Sequence, residues 1–177
     1  MCAQESDVLE AAKKNQWNVV LKETEKSPEL IMRIRSKNGN TLLDLAILAS
    51  NESAVAALIK HSKLDSVDGL KGKGGMTPLH VASLLPSKPI FYEVLGHSKD
   101  LDIQNDTGST ALMVALSSGN DEYVKALLEK GCSPDIPNVL GQYPLHIAVM
   151  AGSEKVVNDL IDIGAGANLR ARDLLKF

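Results

Sequence analysis

Aromatic residues are nearly missing from this chain. One Trp, three Tyr and two Phe stand among 177 residues, 3% in all. Packing cannot rest on large aromatic anchors and must come from aliphatic side chains, which the 44% hydrophobic content supplies. Cysteine is scarce as well. Cys2 and Cys132 show no metal or redox spacing, so the setting expected is reduced and cytoplasmic, with the nucleus as the alternative. Charge of one sign is also lacking. A net charge of −3 argues against binding along a nucleic-acid backbone. There is no signal peptide, no lipidation motif and no apolar run long enough to span a bilayer. Membrane insertion is therefore not expected, and membrane association would have to come through a partner. The sequons Asn51-Glu52-Ser53 and Asn105-Asp106-Thr107 lack a secretory context and read as chance matches.

What the chain does have is a recurring unit. Its clearest copy is Gly141-Gln142-Tyr143-Pro144-Leu145-His146-Ile147-Ala148. Earlier copies read Gly75-Met76-Thr77-Pro78-Leu79-His80-Val81-Ala82 and Gly108-Ser109-Thr110-Ala111-Leu112-Met113-Val114-Ala115, with a weaker one at Gly39-Asn40-Thr41-Leu42-Leu43-Asp44-Leu45-Ala46. Gly75, Gly108 and Gly141 recur every 33 residues, and Gly39 precedes Gly75 by 36. Each position has a physical task. Thr77 and Thr110 can accept from the orphan amides of the helix that follows. Pro78 and Pro144 suit the first helical position, where no donor is needed. The Leu and Ala three apart share a helix face, and Gly119 and Gly152 can end that helix at positive φ. A second helix then carries Val124, Leu127 and Leu128, or Val156, Val157, Leu160 and Ile161. One such unit cannot bury both faces alone, so units must stack.

The period and the T-P-L-H-x-A motif resemble the ankyrin-repeat family over nearly the whole chain. The resemblance implies an all-α solenoid of about five helix-turn-helix units with β-hairpin fingers, forming a single domain over 1–177. The units expected are a degenerate cap at 3–36, then 37–70, 71–104, 105–137 and 138–169. Residues 170–177 would be an incomplete unit or a C-terminal cap formed by Leu174, Leu175 and Phe177, unless the natural chain continues.

In the first unit Asn15 stands where the turn glycine would, and Trp17 reads as a capping core residue. Asn51 can cap the second helix of the next unit. The extra residues before Gly75 predict a longer, more mobile finger at Gly69–Gly75; a phosphate loop is excluded there because the Lys-Ser/Thr pair is missing. In the third unit Leu84-Leu85-Pro86-Ser87-Lys88-Pro89 replaces the glycine-centred turn, and Pro89 can open the following helix.

No constellation supports catalysis, so the chain is not expected to be an enzyme. No catalytic, cofactor-binding or metal-ligating residue is assigned, and no cofactor is implied. His80 and His146 occupy the motif histidine and are expected to bond the hairpin backbone. His61 and His97 end second helices, where a cation is favoured. Cys132 reads as a packed small residue.

In ankyrin repeats partners usually meet the finger tips and the concave face of the first helices. Carried onto this sequence, the concave positions are Leu48 and Ala49, Leu84 and Leu85, Ser117 and Ser118, and Met150 and Ala151. The partner-binding residues expected are Leu84, Leu85 and Met150 with Val139 and Leu140 at a finger tip, and Lys37, Lys71 and Lys73 steering from the early fingers. The alternative for Leu84 and Leu85 is that Pro86 turns them inward. The function implied is a monomeric, regulatory or scaffolding protein-binding module whose partner the sequence does not identify. A targeting domain of a larger enzyme is the alternative class. Leu101–Asp106 and Gly131–Asp135 also look similar to segments of inhibitors of Rel/NF-kappa-B transcription factors, and a host-directed microbial or viral effector is a further setting for the same scaffold.

Overall fold

The computed structural model describes residues 3–165, which are helical with no strand among them. The predicted cap at Leu174, Leu175 and Phe177, the end of the fifth unit and Cys2 lie outside the described residues. The chain divides into two compact units, Met1–Asp100 and Leu101–Phe177.

The first unit contains α1 (Ala3–Lys13), α2 (Trp17–Lys26), α3 (Glu29–Arg33), α4 (Leu42–Leu48), α5 (Glu52–Ser62), α6 (Pro78–Leu84) and α7 (Lys88–Gly96). First helices α1, α4 and α6 pack in one row and second helices α2, α5 and α7 in another, each pair joined by a tight turn. The short α3, which the sequence pattern did not predict, packs on α2 and α5. Val8, Trp17, Ile31, Leu43, Ala46, Leu58, Phe91 and Val94 are buried in the core of this unit.

Local chemistry sets the helix ends. Thr41 and Asp44 form a capping box, each side chain bonding the other's backbone N–H at 3.0 and 2.9 Å. Asn51 Oδ1 accepts from Ala54 N–H at 2.9 Å to start α5, and Pro89 sits in the first turn of α7. After α1 and α4 the chain turns through Asn15 (φ 57) and Ser50 (φ 51). Gly119 and Gly152 do the same work in the second unit, without the Cβ penalty of roughly 1–2 kcal/mol. Leu85 after α6 is extended instead, at φ −109 and ψ 145, since Pro86 disfavours helical backbone in the residue before it.

Each unit opens with a tight turn rather than a regular two-stranded finger. Backbone N–H groups of Ser36, Gly72, Asn105 and Asn138 donate to the carbonyls of Asn40, Met76, Ser109 and Gln142. A single isolated bridge, Arg35 with Thr41, is formed among the described residues. The longer stretch ahead of Gly75 is anchored. Val67 and Leu70 are buried, Val67 N–H donates to His97 O at 3.1 Å, and Asp68 Oδ2 accepts from the backbone of Lys99 and Asp100, both at 2.9 Å.

The second unit contains α8 (Ala111–Ser117), α9 (Asp121–Glu129), α10 (Pro144–Ala151) and α11 (Glu154–Asp162). Leu112, Ala115, Leu127, Ala148, Val156 and Leu160 form its core. Positions toward its end depart from the core that the repeat pattern predicts. Leu145 and Val157 are only half-buried and Ile161 is exposed, whereas Leu112, the counterpart of Leu145, is fully buried. These residues belong to the last helix pair among the described residues, and no later described helix covers them.

Candidate partner-binding surface

In the first unit the C-terminal ends of α4 and α6 leave Leu48 and Leu84 exposed, at 47% and 45%. Between them is a groove of about 370 Å³ lined by Asn40, Asp44, Leu48, Lys73, Gly74, Met76, Val81 and Leu84. Of the predicted residues it brings together Leu84 and Lys73. Leu85 is half-buried, because its extended backbone turns it from the face that Leu84 presents. Lys37 and Lys71 are exposed but do not line the groove.

Sequence reasoning passed over Asn40, Asp44, Met76 and Val81. Asp44 carried a signal: it replaces the motif histidine. At His80 and His146 that position accepts the turn's backbone N–H on Nδ1, from Thr77 at 3.1 Å and Tyr143 at 2.9 Å, as expected. Asp44 Oδ2 takes the same role toward Thr41, while its buried Oδ1 has no hydrogen-bond partner. Desolvation raises the Asp44 carboxyl above its ordinary value of 3.8, against the lowering effect of its bonds with Thr41.

In the second unit Val139 and Leu140 are the outermost residues of a turn that Asn138 organises. Asn138 Oδ1 accepts from the N–H groups of Leu140 and Gln142 at 2.9 and 3.0 Å. Their side chains are 70% and 75% exposed. Gln142 reaches from this turn to the end of α10, its Nε2 donating to Met150 Sδ at 3.8 Å. Met150 and the turn are therefore neighbours, and Val149, which the sequence reading omitted, is exposed beside Met150.

The remaining histidines and the buried thiol have structural tasks. His61 Nδ1 lies 3.1 Å from Thr24 Oγ1, and His97 Nδ1 lies 2.9 Å from Glu93 O. Burial, with Asp102 adding to it, pushes the Cys132 thiol up to about 12. Among the described residues no cluster of His, Cys, Asp and Glu could hold a metal ion, and no helix is long and apolar enough to cross a membrane.

Residues 87–173 match the family described as ankyrin repeats (3 copies). The chain is an ankyrin-repeat protein. Its curated relatives include the target of rapamycin complex 2 subunit AVO2 of Saccharomyces cerevisiae, 26% identical over 55% of this chain and 22% of that protein. Human ankyrin repeat domain-containing protein 13C is 36% identical over 35% of this chain and 12% of its own length. Human transient receptor potential cation channel subfamily A member 1 is 28% identical over 67% of this chain and 11% of its own. This ankyrin-repeat protein thus covers under a quarter of the length of each of these relatives. Ankyrin repeats generally mediate protein–protein interaction, and the family is generally non-enzymatic. The segments Leu101–Asp106 and Gly131–Asp135 are joined by a hydrogen bond, Ser133 N–H donating to Asp102 Oδ1 at 2.8 Å.

Proposed function

We propose that this chain is a non-catalytic, regulatory or scaffolding module that binds a protein partner through the ends of its first helices and the adjoining turns. One observation carries the reading. Among the described residues, six of the eleven exposed large hydrophobic side chains sit at these places: Leu48, Leu84, Val139, Leu140, Val149 and Met150. Within each unit, exposed apolar residues grouped at these positions mark an interaction surface, whereas single scattered ones do not. Lys73 at the rim of the first groove can orient an acidic partner. The proposed setting is the cytoplasm or nucleus, with the chain as a monomer. Affinity capture with the full chain, followed by mass spectrometry, identifies the partner. Leu84→Asp and Met150→Asp should lose it while staying folded, and Lys60→Ala should retain it. Retention by both aspartate variants would refute this placement of the site.

A second reading is that the chain is the recognition part of a longer protein, including a targeting domain attached to an enzyme. It is favoured by the relatives, in which the matching segment is a minor share of the whole.

A further inference from the structure

The helices of the second unit do not close on one another evenly. In the first unit α5 and α7 pack directly, through large side chains such as Leu58, Phe91 and Val94. In the second unit α8 and α10 pack closely, whereas a groove opens between α9 and α11. One hydrogen bond, Ser153 Oγ to Asp121 Oδ2 at 3.1 Å, joins their N-terminal ends. Beyond it runs a groove of about 500 Å³, within the size range of specific ligand sites.

The floor of this groove is apolar, with Val124, Leu128, Val156 and Cys132 along it and Ile163 exposed at one end. Its rim is acidic. Asp121, Glu129, Asp159 and Asp162 line it against two lysines, Lys125 and Lys155. Lys125 is already engaged with Glu129 at 3.7 Å, which leaves a negative excess along the α11 side. The four carboxylates are solvent-exposed, so they cost little when the groove is empty; Glu129 is held by Lys125 and Asp121 by Ser153, so Asp159 and Asp162 are the two placed to meet a cation. An apolar trough with a carboxylate rim is complementary to an amphipathic segment with apolar side chains on one face and lysine or arginine on the flanks.

We propose that the α9–α11 groove is a second docking site, which takes a basic amphipathic segment of another protein. It lies between the second helices of this unit and is not lined by Met150. Apolar anchors seat on Val124, Leu128 and Val156, and the flanking cations meet Asp159 and Asp162. Steering by the acidic rim makes this binding salt-sensitive, because exposed charges are screened over about 10 Å at 0.1 M salt.

The test uses the isotope-labelled full chain and a synthetic peptide whose leucines at i and i+4 are flanked by lysine and arginine. Its control replaces every basic residue with glutamate. At low salt the basic peptide should shift the amide signals of Lys125, Leu128, Lys155 and Ile163, and the glutamate control should not. The double variant Asp159→Lys/Asp162→Lys should weaken binding by about tenfold or more, and Lys155→Glu should tighten it by about threefold. All three positions are exposed, so both variants should keep the wild-type spectrum elsewhere. Unchanged affinity in both variants, or shifts confined to other helices, would overturn the proposal. So would shifts of the α9 and α11 amides with protein concentration alone, which would make a second copy the occupant. A change in those amides in peptide-free Arg170→Glu/Arg172→Glu would assign the groove to the chain's own C-terminal segment, again against the proposal.

Discussion

Asp44 and Gly72 are in contact: a β-carbon at position 72 would overlap the Asp44 carboxylate at Oδ2 and crowd its Cγ. The same carboxylate caps α4 through Thr41 and lines the groove beside Leu84. The glycine is therefore required here by close approach, and its backbone is held by the N–H donated to Met76 O at 2.8 Å.

Gly72→Ala is accordingly expected to lower stability by about 1–3 kcal/mol, because either the turn or the capping box must shift. Urea denaturation of Gly72→Ala in the wild-type and Asp44→Ser backgrounds checks this. The cost should shrink when the carboxylate is shortened to a hydroxyl. Equal costs in both backgrounds would place the strain elsewhere.

Asp44 should also leave a pH signature. Burial raises its folded-state carboxyl above 3.8, so the folded protein prefers the protonated form. The contribution of Asp44 to stability is then full below the unfolded value and is lost as pH rises through the folded one. Asp44→Asn, a neutral stand-in that can still accept from Thr41 N–H, should be more stable than wild type at neutral pH. Its advantage should fade as the pH falls toward 3.8. Melting temperatures of both proteins across that range give the difference, and an advantage independent of pH would contradict the assignment.

Leu112 and Leu145 occupy the same motif position but differ in burial. Leu112→Ala should cost on the order of 2–5 kcal/mol, and Leu145→Ala roughly half as much, since less apolar surface returns to water. Denaturant midpoints of the two variants decide the ordering.

Cys132 is buried, with its thiol held up at about 12. In a Cys2→Ser background it should react with a thiol reagent at pH 8 far more slowly than in denaturant, because almost no thiolate is present and the sulfur is covered. Reaction at the unfolded rate in the native state would show that the loop after α9 opens readily.

Much of the fold was legible in the sequence because the repeat repeats its physics. The Thr110 cap, the motif histidines, Pro89 and the positive-φ Asn15 came out as their positions dictate, whereas the Thr77 hydroxyl lies 2.8 Å from His80 Nδ1. The α3 segment escaped notice because Leu30, Ile31 and Ile34 form too short a run to show a period. Anchoring of the stretch around Leu70 depends on partners about 30 residues away, Lys99 and Asp100, which local pattern cannot reveal. The sites were only partly legible. Exposure of Leu84, Val139, Leu140 and Met150 followed from register, but the half-burial of Leu85 follows from one extended residue ahead of Pro86. The α9–α11 groove reflects how two helices pack, a tertiary feature with no motif of its own.

The central claim is that apolar residues at the ends of the first helices anchor a protein partner. It is tested most directly by calorimetric titration of the captured partner into wild type, Leu84→Asp and Met150→Asp, with folding verified by circular dichroism. The account predicts that at least one aspartate variant loses about 2 kcal/mol or more of binding free energy, the usual cost of removing a desolvated anchor. Wild-type affinity in both folded variants would contradict it.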